Sequence, residues 1–192
     1  FFSFYPHNDS IYFIIADVAG KGIHAGMVMA KASTLFEVLA QSKVDPDEMV
    51  FHMNNDLNNT KTAGMFVTSI VGEYNLITDE IRWVNAGHQP AILRNGQGKY
   101  DQFESSAPPL GVIKQKDKSV YNVHKTKLNG SRFYAFTDGL SESLNDNGEE
   151  IGIDGSIGII EQNYNKDTVK QLDSITQSVI GTSQNQKLSD DL

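Results

Sequence analysis

Residues 11–41 read IYFIIADVAGKGIHAGMVMAKASTLFEVLAQ. The run Ile11 to Ala16 is short, apolar, β-branched and aromatic, the pattern of a buried strand. Asp17-Val18-Ala19-Gly20-Lys21-Gly22 then supplies a turn. From Ile23 to Gln41 the one breaker is Gly26, and Ala, Met and Leu are dense, which predicts a helix. That helix is apolar almost all round, with Lys31 and Glu37 as exceptions, so it is expected to be buried or to lie at an interface. Strand, glycine turn and helix also open a dinucleotide-binding unit, and Gly20-Lys21-Gly22-Ile23-His24-Ala25 satisfies G-x-G-x-x-G/A. The context argues against that reading. It needs a second parallel strand ending in an acidic residue about 20 positions on. Asp45-Pro46-Asp47-Glu48 is instead a helix start, with a cap residue and Pro in the first position. It predicts a second helix to about Asn59. Asp17 would also set negative charge against a pyrophosphate.

After the helices the period changes to two. Met65 to Tyr74 reads as a strand, and so does Glu80 to Asn85 after the turn at Thr78-Asp79. Pro90 to Arg94, Lys99 to Phe103, Val120 to Lys125 and Arg132 to Phe136 follow. Strands joined by short turns pair antiparallel. Helix returns near the C-terminus, most clearly from Lys166 to Val179. Runs of strands and runs of helices, without strict alternation, define an α+β fold in which separated helices cover the sheet faces.

The chain has 192 residues, 39% apolar and 21% charged, which suits one globular domain with a sizeable core. It opens mid-pattern at Phe1-Phe2-Ser3-Phe4-Tyr5 and reads as an excerpt cut at both ends. No unbroken apolar run approaches the ~18–20 residues of a membrane span, and no signal-peptide pattern opens it. The net charge of −8 disfavours nucleic-acid binding, which leans on Lys and Arg. With no Cys there is no disulfide, thiolate metal site or Cys nucleophile, which fits a cytoplasmic protein. Three arginines do not make a phosphate clamp, and there is no P-loop motif.

Acidic residues recur where strands give out: Asp17 in ADVAGKG, Asp138 in FYAFTDGLSES, and Asp190 and Asp191 in LSDDL. Carboxylates brought to one sheet rim repel unless a cation sits among them. An all-oxygen set suits Mg²⁺ or Mn²⁺ better than zinc. Glycines follow both of the first two aspartates (Gly20 and Gly22, and Gly139), so the backbone can bend towards a ligand. If Gly139 lies in a helical turn, Glu142 faces the same way as Asp138. Each aspartate taken alone reads equally well as a helix N-cap, and Asp190-Asp191 alone as a solvated loop pair. His88, in Asn85-Ala86-Gly87-His88-Gln89-Pro90, is either a general acid or, the favoured reading, a turn residue that holds a rim loop with Asn85.

Taken in order, FFSFY at the start, Asp17 to Gly22 with the helix after it, Met65-Phe66-Val67-Thr68 and Asn85 to Pro90 resemble one known family. Pro109-Leu110-Gly111-Val112, Thr137-Asp138-Gly139-Leu140-Ser141-Glu142 and Ser189-Asp190-Asp191-Leu192 continue the resemblance. The family is the bacterial branch of the PPM metal-dependent serine/threonine phosphatases, of the sporulation stage II protein E and sigma-factor-regulator type. The resemblance implies an αββα sandwich of two antiparallel sheets flanked by helices, with residues 1–192 as a single catalytic domain. It implies two or more Mn²⁺ or Mg²⁺ ions, with Asp17 bridging two of them and the Val18 carbonyl on the second. Asp138 and Asp190 would hold the other ion, with Asp191 the alternative if the register shifts by one. The family also carries a Gly-Gly-Asp just before FFSFY, whose Asp is a ligand, and an apolar strand after Asp-Asp-Leu.

The implied activity is hydrolysis of phosphoserine or phosphothreonine by an activated water, on an anti-sigma-factor antagonist. The implied partners are that phosphoprotein, an upstream sensor domain or activator, and a homodimer contact through the helices after the first motif. Core packing is an equally good account of the Ile23–Gln41 helix. The rival within the same fold is a catalytically degenerate module that only binds.

Overall fold

The structure is a computed structural model that describes residues 1–60, 64–145 and 147–182. It divides into two compact units, Phe1–Ala135 and Phe136–Leu192.

The first unit opens with a hairpin of β1 (Phe2–His7) and β2 (Ser10–Val18), turned at Asn8 with φ 51°. Sequence reading found β2 but not β1, whose Phe2, Phe4 and Pro6 are exposed while Ser3, Tyr5 and His7 are half-buried, the reverse of a core-facing apolar row. Two helices follow, α1 (Ile23–Gln41) and α2 (Pro46–Asn59), within a residue of expectation. The strands β3 (Val67–Asn75), β4 (Glu80–Ala86), β5 (Ala91–Arg94), β6 (Tyr100–Phe103), β7 (His124–Lys127) and β8 (Arg132–Tyr134) complete it. The strand expected at Val120 to Lys125 begins only at His124. Lys118–Val120 forms a 3₁₀ turn instead, with Asp117 accepting from the Ser119 amide at 2.8 Å.

The strands form two sheets, a five-stranded one in the order β1-β2-β3-β4-β7 and a three-stranded one in the order β6-β5-β8. Every strand pairing is antiparallel. That removes the dinucleotide-binding reading of Gly20 to Ala25, since β2 has antiparallel neighbours on both sides and α1 leads into another helix.

Alternation along β2 sorts its side chains. Tyr12, Ile14 and Ala16 join Val28, Phe36, Met49, Met53 and Leu57 in the core beneath α1 and α2. Phe13 and Ile15 point the other way, into an aromatic layer with Trp83, Ala91, Phe103 and Phe133 from the two sheets. The Trp83 ring lies 4.9 Å from Phe133 and 5.0 Å from Phe103, edge to face. Gly72 makes room there: a Cβ would stand 2.4 Å from Phe13 Cζ.

By length and mean hydropathy α1 could cross a bilayer. Its Ala25, Val28, Ala32, Phe36 and Ala40 are instead core residues of this unit. Ile23, Met27, Met29 and Val38 on its other side are exposed, so only part of the apolar surface that sequence assigned to burial or contact is covered here.

The second unit contains a single helical turn α3 (Asp138–Ser141), then α4 (Gly152–Gln162) and α5 (Thr168–Thr182). The helix expected at Lys166 to Val179 is α5. Gly152, Gly155 and Gly158 weaken the helical signal of α4, which packing restores. Gln171 of α5 donates to the Ile160 carbonyl at the end of α4 at 3.3 Å.

Candidate active site

Asp17 continues the Phe13–Ile15 row to the end of β2 and is partly exposed. Its carboxylate makes no hydrogen bond or ion pair with the described residues. The N-cap position of α1 belongs to Gly22, at φ 84° and with no side-chain cap. Asp17 therefore does not cap the helix, which removes the competing account of this residue. Gly20, at φ 127°, and Gly22 carry the chain round from Val18 into α1 through conformations that L side chains resist.

Four segments quoted separately from the sequence meet at this end of the five-stranded sheet. Asp17 pairs with Thr68, and Val18 with Val67. The Ala19 amide donates to the Phe66 carbonyl at 2.9 Å. Val67 then exchanges both backbone bonds with Leu110 of the Pro-Pro-Leu-Gly segment, at 2.9 and 2.7 Å. Gly87 of the Asn-Ala-Gly-His turn has φ 71° and packs so tightly on Pro109 that a Cβ would fall 2.4 Å from its Cγ.

Within that turn, buried Asn85 accepts from the His88 amide at 2.9 Å and donates to the Gln89 carbonyl at 3.0 Å. The His88 ring is 7% exposed, and its Nδ1 lies 2.8 Å from Thr68 Oγ1. The same hydroxyl lies a long 3.5 Å from the Asp17 carbonyl. His88 and Asn85 thus brace the rim, with the direction of the His88–Thr68 bond set by the imidazole tautomer.

Thr68 was not among the site residues expected from sequence. It stood inside a quoted motif, and only the β2–β3 register shows that it faces Asp17. Asn54 and Asn55 of α2 were missed too. They clasp residues 111–115 through side-chain bonds to Gly111, Ile113 and Gln115. Two asparagines inside a helix, where they are poor formers, were the signal available.

In the second unit Asp138 is the first residue of α3, and Thr137 occupies the N-cap position with no side-chain cap bond. So Asp138 is not a cap either. The Glu142 amide donates to the Asp138 carbonyl at 2.7 Å, closing one turn through Gly139. Glu142 lies one turn along from Asp138, as its spacing required, and is exposed. Asp190 and Asp191 lie outside the described residues. Among the described residues no group of three or more His, Cys, Asp or Glu side chains is gathered as a metal site.

Comparison with solved structures defines the class. The chain superposes over 100% of its length on 76% of the SiaA-PP2C domain of Pseudomonas aeruginosa, at TM-score 0.85 and 13% identity. It covers 79% of RsbX, solved in complex with magnesium, with 95% of its own length, at TM-score 0.70 and 18% identity. The fold is therefore that of PP2C-type domains, an α+β arrangement of two antiparallel sheets flanked by helices. Residues 7–192 match the family described as Stage II sporulation protein E (SpoIIE), and the chain belongs to it. Among curated proteins it is 27% identical over 150 residues to Phosphoserine phosphatase RsbU of Bacillus subtilis, covering 77% of this chain and 44% of that one. The chain spans less than half the length of the curated relatives it matches.

Proposed function

We propose that this chain is the catalytic domain of a metal-dependent protein serine/threonine phosphatase in a bacterial signalling pathway. The observation that carries the reading is Asp17: a carboxylate at a strand end, engaged in neither a helix cap nor an ion pair, in a chain of the SpoIIE family. A curated relative is named a phosphoserine phosphatase. Its substrate, by the same likeness, is a phosphorylated anti-sigma-factor antagonist, its setting the cytoplasm, and its control an upstream sensor domain or activator, with a homodimer contact through α1.

The donors fit a hard divalent cation. They are carboxylates and a backbone carbonyl, with no thiolate or imidazole among them, which favours Mg²⁺ or Mn²⁺. The proposed set is Asp17, the Val18 carbonyl, Asp138 and Asp190 or Asp191, with Glu142 as a further candidate. Two or more ions, when bound, neutralise the phosphate dianion and make the attacking water more acidic.

The chain's own residues supply position. The Thr68–His88 bond and the Val67–Leu110 bridge fix the end of β2, so Asp17 does not have to be ordered when a cation arrives. Gly20 and Gly22 keep Cβ atoms away from the approach. The β1–β2 register pairs Phe1 with Ala16 through bonds of 2.6 and 2.8 Å. A residue placed ahead of Phe1 along that register falls opposite Asp17, where the family resemblance expects a further Asp.

The test is phosphate release from a phosphoserine peptide by the full-length protein, with and without Mn²⁺, beside Asp138→Asn. Metal-dependent turnover that a folded Asp138→Asn lacks supports the reading. A folded full-length protein inert with every divalent metal and activator tried would instead be a binding module.

A further inference from the structure

The segment after Leu110 combines features that a connecting loop does not need. Its backbone is pinned at four points by two side chains of α2. Asn54 accepts from the Gly111 amide and donates to the Ile113 carbonyl, both at 3.0 Å. Asn55 does the same for Gln115, accepting at 2.9 Å and donating at 3.0 Å. Asn54 is itself only 1% exposed and is braced by Asn58. Yet the side chains displayed by this fixed backbone are apolar and turned outwards: Val112 is 49% exposed and Ile113 56%.

The location is as specific as the rigidity. Leu110 is bonded to Val67, the neighbour of Asp17's partner Thr68. A Cβ at Gly111 would lie 3.6 Å from the Met65 carbonyl, and one at Gly20 would lie 3.4 Å from the Met65 side chain. Met65 thus lies against both this loop and the loop that follows Asp17. The charge is local as well. Residues 112–118, VIKQKDK, hold three lysines against one aspartate in a chain of net charge −8. Lys118 is turned back to Asp47 and Glu48, and Lys114 reaches Asn59. Lys116 stands exposed.

We propose that the Gly111–Lys118 loop is a docking surface for the phosphoprotein substrate, in which Val112 and Ile113 receive apolar side chains flanking the phosphoserine and Lys114 and Lys116 favour an acidic segment. The inference rests on the phosphatase reading above. A backbone already fixed loses little conformational entropy on contact, which is the use of four side-chain bonds around three exposed residues, Val112, Ile113 and Lys114. The basic patch steers an anionic segment towards the rim that carries Asp17. The role is one of specificity and leaves the chemical step alone.

The experiment uses the full-length protein with Mn²⁺ and three substrates. They are p-nitrophenyl phosphate, a phosphoserine peptide with Leu and Ile beside the phosphoserine, and the same peptide with Gly and Ser there. Val112→Ser/Ile113→Ser is expected to raise KM for the apolar-flanked peptide about 10-fold, the scale of losing a few methylene contacts. It should abolish the preference between the two peptides and leave p-nitrophenyl phosphate unchanged. Lys114→Glu/Lys116→Glu should raise the peptide KM and flatten its dependence on salt. Both apolar side chains are exposed, so the melting temperature should hold. Unchanged peptide kinetics in the first variant, or equal losses on all three substrates, overturn the docking role while the phosphatase reading stands. Unchanged kinetics with weakened self-association assign the patch to a second copy of this chain, and also overturn it. A parent protein that hydrolyses none of the three overturns both readings.

Discussion

His88 Nδ1 lies 2.8 Å from the hydroxyl of Thr68, the residue paired with Asp17 across β2 and β3. The bond joins segments twenty residues apart and leaves the buried imidazole holding the strand end beside Asp17. Thr68→Val keeps the shape and removes the hydroxyl, so the ring loses that partner. It should cost about 1–3 kcal/mol, the range for a buried polar group left unsatisfied. The midpoint of urea unfolding measures it, and a midpoint equal to wild type would show that the bond braces nothing.

Asp17→Asn should separate binding from stability. The carboxylate has no partner among the described residues, so metal-free stability should change by no more than about 0.5 kcal/mol. Affinity for Mn²⁺ should fall by more than about 10-fold, the lower end of what even an outer-shell loss costs a metal site. Calorimetric titration with Mn²⁺ and thermal melting in EDTA read the two effects. Unaltered Mn²⁺ affinity would remove Asp17 from the donor set.

Gly87→Ala and Gly130→Ala form a matched pair. Both glycines have positive φ, 71° and 79°, but a Cβ at Gly130 meets nothing within 4 Å whereas one at Gly87 strikes Pro109. Gly130→Ala should cost about 1–2 kcal/mol, the backbone penalty alone. Gly87→Ala should cost about 1–3 kcal/mol more for the clash. Equal losses in denaturant melts would mean that Pro109 yields freely and that the turn is not tightly packed on it.

His124 should make stability depend on pH. Its ring stacks on Trp83 at 5.2 Å and meets Phe103 edge-on at 5.5 Å, with Nε2 buried and unbonded among the described residues. Burial lowers its pKa, and no charged neighbour contributes. The unfolded chain therefore binds the proton more readily than the folded one. The stabilising contribution is complete above the unfolded value, about 6.5, and is lost as pH falls through the lower folded value. His124→Phe should keep the stacking and remove this part of the acid loss. The difference between variant and wild type from pH 7 to pH 5 isolates it from the other four histidines. Parallel stability curves would refute it.

The extent of α1 and α2 was legible because helical period, Pro46 and the absence of breakers act over neighbouring residues. Asp17 at the end of β2 was legible too, since it follows an apolar run, whereas Asp138, expected at a strand end, opens α3 instead, past the end of β8 at Tyr134. β1 was not legible, and β7 was misplaced by four residues, because both are edge strands of the five-stranded sheet. An edge strand is stabilised mainly by the neighbour it pairs with, and its own pattern is correspondingly weak. Asp45 shows the same limit in a helix cap. It stands at the N-cap of α2 as expected, yet its carboxylate makes no cap bond and instead holds Arg82 of β4 at 2.8 Å.

The sequence by itself determined the α+β class, the two long helices and the presence of carboxylates of the type that suits a hard cation, because these follow from periodicity and from chemistry carried by single side chains. The tertiary structure decided that Gly22 and Thr137, and not Asp17 and Asp138, occupy the helix caps. It also decided that Thr68 faces Asp17, that His88 braces Thr68, and that Asn54 and Asn55 clasp the loop beyond Leu110. Those relationships join residues that lie up to sixty positions apart. Their partners are selected by strand register and by how α2 lies on the sheet, and a local pattern encodes neither.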